Sequence, residues 1–220
     1  MSTIKNKDLK RRIIDISWKK KLSHLGSCLT AVDIIKEIYD KKKENEPFIL
    51  SSGHAGLALY VVLEKVYGYN AELLFQTHGV HPNRDVDHNI YCSTGSLGHG
   101  VSIAVGAALA NKLRNVYCLI SDGECMEGSV WEALRIQREL KLDNLKVYLN
   151  YNGWGAYQEI YSNPMMQQLV AFGFDMDNVV RTDFDLLLPI LKEPQEAHYV
   201  LLDKEKYDIV MKQLGIKGIL

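Results

Sequence analysis

Apolar residues recur along this chain in two rhythms, a three-to-four-residue spacing and short unbroken runs, and the two alternate. Leu9, Ile13, Ile14 and Ile16 form a stripe through the charged segment 5–20, which predicts a helix. After a turn over 23–29, residues 30–39 repeat that spacing, with Thr30 placed as an N-cap and Asp33 in the first turn. The charged run 41–44 reads as a solvated loop. Residues 48–50 form a short β-rich run, followed by helical spacing over 57–66. A polar stretch over 77–89 reads as an exposed loop, and a helix is expected over 101–113. The runs at 116–120 and 145–149 flank residues 126–140, where Val130, Trp131, Leu134 and Ile136 are interleaved with Glu132, Arg135, Arg138 and Glu139. Strand, helix, strand in that order makes a crossover unit whose two strands lie parallel. Beyond it the pattern predicts a helix over 165–172 ending at Gly173, a weak strand at 179–180, a helix over 184–191, a last strand over 199–202 and a tail helix over 207–214. Such alternation predicts an α/β fold, a three-layer, open, mostly parallel sheet with helices on both faces. With no repeat, low-complexity tract or linker in view, a single domain over residues 1–220 is expected.

Charge changes this picture little. The net value is −1, from 26 basic and 27 acidic residues, which gives no field suited to nucleic acid or an anionic membrane as partner. Cys28, Cys92, Cys118 and Cys125 have neither zinc-ligand nor CxxC spacing and read as the reduced thiols of a cytoplasmic protein. The basic N-terminus lacks the apolar segment of a secretory signal, and the longest apolar run, 101–110, is half the length that spans a bilayer.

The candidate chemistry gathers at the carboxyl edge of the crossover unit. Both of its loops leave that edge, so Asp122 on the first and Asn152 on the second are brought side by side. A carboxylate and an amide oxygen are hard ligands suited to Mg2+ or Ca2+, and phosphate oxygens commonly complete a Mg2+ shell. The helix opening near Glu127 favours an anion through its free N–H groups and its dipole. The same residues also read as a plain Asp-Gly turn and a helix cap at Asn152. His54, in the strand-to-helix junction Ser51-Ser-Gly53-His54, reads on its own as a capping or core histidine sooner than as a ligand. His78, His81 and His88 share one irregular loop, where their spacing is too unspecific for a zinc site. A second Gly-rich helix start, Cys92-Ser-Thr94-Gly95-Ser96-Leu97-Gly98-His99-Gly100, lets backbone approach a ligand closely.

Asp-Gly, then Met-Glu-Gly, then Asn152, with Glu132-Ala133 and Lys141-Leu142 between, resembles the thiamine diphosphate motif of transketolases. The segment Ser-Thr-Gly-Ser-Leu-Gly-His-Gly is similar to the family's cofactor-holding segment, and its Ser-Leu wording is closer to split, two-subunit members. The resemblance covers roughly residues 10 to 202 and implies the diphosphate-binding (PP-type) domain of that fold. By it, Asp122, Asn152 and the carbonyl of Trp154 bind Mg2+, while His54, Gly95, Ser96, Leu97, Gly123 and Asn152 hold thiamine diphosphate. It implies catalytic roles for His24 and His81, facing the hydroxyls of a sugar or sugar phosphate, and for Glu127, reaching towards the partner's glutamate. Glu127 reads as well as a simple acid at a helix start.

The chain departs from the family at Ser121, where Gly is usual, and at Ser23 and Leu25 beside His24. A third departure is a short tail, where Asp203-Lys204-Glu205-Lys206 stands in place of a Lys-Gly-Lys-Gly turn. The resemblance accounts for only one of the family's two domains within residues 1–220, and it implies that the pyrimidine-binding domain is expected on a partner, a C-terminal transketolase subunit, in an α2β2 assembly. Together they would move a two-carbon ketol unit from a ketose to an aldose. The alternatives are a subunit of a thiamine-dependent 2-oxo acid decarboxylase or dehydrogenase, a transferase for a branched or unusual sugar, and a non-catalytic scaffold.

Overall fold

Residues 4–155, 158–182 and 199–215 are described in the computed structural model. Three helices, α1 (Lys7–Lys20), α2 (Leu25–Lys41) and α3 (Gly56–Tyr67), surround the short strand β1 (Phe48–Leu50) in sequence. A fourth helix, α4 (Ala71–His78), and an irregular loop lead to α5 (His99–Ala110). The crossover unit follows as β2 (Val116–Ser121), α6 (Gly128–Glu139) and β3 (Leu145–Tyr151). After it come α7 (Ser162–Phe172), β4 (Val179–Arg181) and α8 (Lys204–Gln213). The four strands form one sheet in the order β1-β2-β3-β4, every pair parallel.

Strand residues alternate between the two faces, and that alternation splits the core in two. Tyr117 and Leu119 of β2, Tyr148 of β3 and Phe48 and Leu50 of β1 pack with α1, α2 and α3. Val116, Cys118 and Ile120, with Leu145, Val147, Leu149 and Ile49, pack with α5, α6 and α7. The sheet is thus covered on both faces, as the unbroken apolar runs require. Ile13, Ile14 and Ile16 are fully buried, so the expected stripe of α1 is the one that docks. No helix among the described residues is long and apolar enough to cross a membrane.

Several boundaries differ from expectation. The turn expected over 23–29 is helical, because α2 begins at Leu25, and Thr30 lies inside it instead of capping it. The Thr30 hydroxyl donates back to the carbonyls of Gly26 and Ser27, at 3.1 and 3.2 Å, satisfying itself within the helix. Helix α4 lies where no helix is expected; it is capped by the Asn70 side chain, which accepts from the Leu73 N–H. Helix α5 stops at Ala110, and the Asn111 side chain takes the Leu113 N–H in the following turn. Helix α6 begins at Gly128, after a short 3-10 turn over Gly123–Met126. The strand expected over 199–202 does not form: residues 200–203 carry no regular structure. Leu202 is instead buried singly, with its carbonyl held by the Lys21 ammonium. The helix expected over 184–191 lies outside the described residues.

Candidate functional site

Register decides where the site forms. Ser121 on β2 pairs with Asn150 on β3, so both chains leave the sheet at the same level and turn over the same edge. Asp122, fully buried, ties the two turns together. Its own N–H donates to the Asn150 carbonyl at 3.1 Å. One carboxylate oxygen accepts from the Gly123 N–H at 3.0 Å. The other accepts from the N–H groups of Asn152, at 3.0 Å, and Gly153, at 2.5 Å. Gly153 takes a φ of +85°, which lets the chain turn back over the carboxylate. The Asn152 amide oxygen accepts from the Trp154 N–H at 2.9 Å, closing a tight turn. The turns that carry Asp122 and Asn152 therefore meet, as the crossover argument expected, and Trp154 follows in the same turn.

Burial pushes the Asp122 carboxyl up to about 7, against the lowering pull of the three amides. Among the described residues no Lys, Arg or His side chain pairs with it. A carboxylate offers about four acceptor positions, of which the amides use three. A buried anion with spare capacity and no counter-charge fits a divalent cation, and the Asn152 oxygen and Trp154 carbonyl are further hard donors. No cluster of three or more His, Cys, Asp or Glu groups suited to a metal occurs among the described residues. A site of one carboxylate, one amide and one carbonyl is of a different kind.

Glu124, also fully buried, is the residue that the sequence did not reveal. Its Oε1 accepts from the Ser51 hydroxyl at 2.6 Å and from the Gly98 N–H at 2.9 Å. Its Oε2 accepts from the Ser121 N–H at 2.9 Å and from the Ser121 hydroxyl at 3.4 Å. Burial raises its carboxyl above the usual range, opposed by these donors. Ser121, where the family usually has Gly, takes no left-handed φ, so its side chain is accommodated and joins Glu124. The loop after β1 and the start of α5 come equally close through glycine. A side chain at Gly53 would lie 2.7 Å from the backbone of Thr94 and Gly95, and one at Gly100 would lie 2.5 Å from the Ser51 Cα.

Three of the expected histidines converge beside these loops. The rings of His24 and His54 lie 5.6 Å apart, and Tyr199 lies 6.1 Å from His24. The His81 ring packs on Gly95, 3.0 Å from where a Cβ would stand. Burial first, and the nearby His81 second, hold the His24 imidazole below its usual range. His24 adopts the left-handed conformation at the start of α2, with φ of 63°, a strained setting for a non-glycine residue. The hydroxyls of Ser52 and Thr94 are buried and have no hydrogen-bond partner among the described residues. They flank the Gly53 and Gly95 contact and fit a polar ligand. Ser96 is exposed and Leu97 half-buried. Glu127 is exposed at the start of α6, with its Cβ 3.1 Å from where a Gly98 side chain would begin.

Two other features stand apart. His78 and His88 both meet Asp85, at 3.3 and 2.7 Å, and brace their own loop. A cavity of about 320 Å³ lies between Arg138, Lys141, Leu145 and Phe172, around the start of β3, and contains none of the site residues expected from sequence.

Known proteins bear on this arrangement. A family described as "Transketolase, thiamine diphosphate binding domain" matches residues 7–185. An apulose-4-phosphate transketolase subunit of Phocaeicola vulgatus is 33% identical over 206 residues, spanning 79% of this chain and 73% of that one. The 6-deoxy-6-sulfo-D-fructose transketolase subunit SqwG of a Clostridium species is 29% identical over 200 residues, 80% of this chain and 73% of its own. Human transketolase is 35% identical over 156 residues, but these make up only 24% of its length. Among solved structures, transketolase from Campylobacter jejuni superposes with a TM-score of 0.80 at 21% identity. That match takes in 100% of this chain and 44% of the solved one, and so fixes the fold.

Proposed function

The chain belongs to the family of transketolase thiamine diphosphate-binding domains, and from that premise we propose that it is the cofactor-holding subunit of a split transketolase, moving a two-carbon ketol unit from a ketose to an aldose acceptor. One observation carries the proposal. The turns after β2 and β3 are locked together by a buried Asp122 that has acceptor capacity to spare, with Asn152 and Trp154 in the same turn.

In this reading Asp122, Asn152 and the Trp154 carbonyl hold Mg2+. His54, Gly123 and Asn152 lie along the diphosphate, and Gly95, Ser96 and Leu97 along the rings of the cofactor. Thiamine diphosphate, when bound, supplies the carbanion stabilisation that allows a carbon–carbon bond beside a carbonyl to break. The protein supplies the rest. Gly53 and Gly95 allow backbone N–H groups to approach the ligand without side chains between. Buried Ser52 and Thr94 offer hydroxyls to it. His24 and His81 face sugar hydroxyls and exchange protons with them; burial favours the neutral imidazole of His24, the form that has a free nitrogen to take a proton.

The rest of the enzyme is a further part of the proposal. Residues 1–220 form one domain, and a C-terminal subunit carries the pyrimidine-binding domain in an α2β2 complex, with Glu127 at the junction. Relatives named for apulose 4-phosphate and for 6-deoxy-6-sulfo-D-fructose favour an anionic sugar as substrate. The test is co-expression with a neighbouring reading frame for that second subunit. The purified complex should retain thiamine diphosphate only with Mg2+ and should transfer a ketol unit between sugar phosphates. Release of CO2 from pyruvate without ketol transfer would refute the assignment.

A further inference from the structure

Two carboxylates are buried in the turn after β2, and they have different partners. Among the described residues Asp122 accepts from amides of its own turn and of the β3 turn. Glu124 accepts from three separate segments: the Ser51 hydroxyl after β1, the Gly98 N–H at the start of α5, and Ser121 at the end of β2. With the longer contact from the Ser121 hydroxyl, these donors occupy the acceptor positions of an ionised carboxylate.

The start of α5 shows what this arrangement does. A helix N-terminus presents free N–H groups and a positive dipole end. Here three N–H groups of this turn are engaged within the protein. Gly98 donates to Glu124, His99 donates to the Ser96 carbonyl at 3.2 Å, and Val101 donates to the Ser51 hydroxyl at 3.2 Å. The Ser51 hydroxyl in turn donates to Glu124, so a single carboxylate holds the first turn of α5 both directly and through one hydroxyl. The anion at this helix end belongs to the protein. Close packing depends on it as well, since Gly100 abuts the Ser51 Cα and Gly98 has a φ of +75°.

We propose that Glu124 is a positioning residue: its carboxylate clamps the Ser51 turn and the start of α5 onto the end of β2, and so sets His54 and the segment 95–97 at the spacing a thiamine diphosphate molecule requires. This rests on the cofactor-holding role proposed above. Ser51 and His54 belong to one short turn, and residues 95–97 immediately precede Gly98, so loosening the clamp moves both segments. Glutamine cannot replace the carboxylate. Its NH2 group would face the N–H of either Gly98 or Ser121, leaving that donor unpaired.

The test compares wild type, Glu124→Gln and Ser51→Ala, each as full chain in complex with the partner subunit. Two quantities are read: thiamine diphosphate affinity in Mg2+, from fluorescence quenching, and amide hydrogen exchange at Gly98, Val101 and Ser121 against Ile13 and Ile14 in α1. Glu124→Gln should weaken cofactor binding at least about tenfold, as expected for lost bonds to a buried charge. Exchange at Gly98, Val101 and Ser121 should quicken while α1 is unchanged. Ser51→Ala keeps the carboxylate but removes the hydroxyl between it and α5, and should show the same pattern with a loss of about threefold. If Glu124→Gln does not fold, Ser51→Ala decides by the same two readings. Binding within about twofold of wild type, or protection lost equally in α1 and α5, overturns the positioning role alone. A wild-type complex that takes up no thiamine diphosphate overturns the cofactor-holding role, and the positioning role with it.

Discussion

Asp122→Ala separates the metal role of this residue from its structural one. The substitution removes the acceptor for three backbone N–H groups, those of Gly123, Asn152 and Gly153. Left buried and unpaired, each costs about 1–3 kcal/mol, a gross loss of about 3–9 kcal/mol. An opposing gain accompanies it. A carboxyl held up to about 7 reflects a buried charge that the fold disfavours at neutral pH, and removing it returns about 4 kcal/mol. The cofactor-free chain should therefore lose no more than about 5 kcal/mol and still fold. Asp122→Asn, which keeps one acceptor oxygen, should lose less. Both variants lack the only carboxylate proposed as a Mg2+ ligand. Changes to groups that merely support a metal's ligands cost about 10–100-fold in affinity, so loss of a ligand itself should exceed about 100-fold. The assay is titration calorimetry of thiamine diphosphate with Mg2+ into the complex, alongside thermal unfolding without ligand. Folded variants that retain the cofactor within about threefold of wild type would refute the metal assignment.

The remaining predictions concern pH, packing and substrate. The Asp122 carboxyl titrates at about 7 in the folded, cofactor-free chain and in the ordinary carboxylate range when unfolded. Between those values the folded state holds the extra proton, so stability should fall as pH rises through that window and level off above about 7. Chemical denaturation at several pH values, with Asp122→Asn as reference, checks this; an identical slope in both chains would contradict it. Gly100→Ala places a methyl group 2.5 Å from the Ser51 Cα and should lower stability by about 1–3 kcal/mol, read from thermal unfolding. His81→Ala should raise KM for the sugar about tenfold or more while thiamine diphosphate affinity stays within about twofold; a loss of cofactor affinity without a change in KM would move His81 out of the substrate site.

The parts of the site that could be read from sequence are those fixed by topology. Two parallel strands joined by one crossover must send their loops over one edge, so Asp122 and Asn152 meet whatever the details of α6. The turn expected over 23–29 misleads for a local reason. Gly26, Ser27 and Thr30 resemble a cap, yet Cys28 and Leu29 are buried, and packing outweighs the propensity of the residues around them. The strand expected over 199–202 is a short apolar run with no ladder partner among the described residues, and such a run alone does not make a strand. Glu124 was hidden more deeply. An acid in a polar turn normally faces water, and donors 73 and 26 residues away, Ser51 and Gly98, join the nearby Ser121 in keeping this one buried.

Acceptor capacity accounts for the division of labour between the two acids. Both stand in the same turn, both are buried, and each has two oxygens. Glu124 is surrounded by four donors and has no position left for a cation, so it can only hold protein segments together. Asp122 meets three amides and has one acceptor position to spare, in a turn that also holds Asn152 and Trp154. Exchanging the two side chains, in the double variant Asp122→Glu with Glu124→Asp, would preserve charge and composition. It would shift the open acceptor position by about one methylene, and Mg2+ tolerates little departure from its preferred ligand geometry. Cofactor retention should therefore be lost in a chain of unchanged net charge, an outcome that a purely electrostatic view of this turn does not predict.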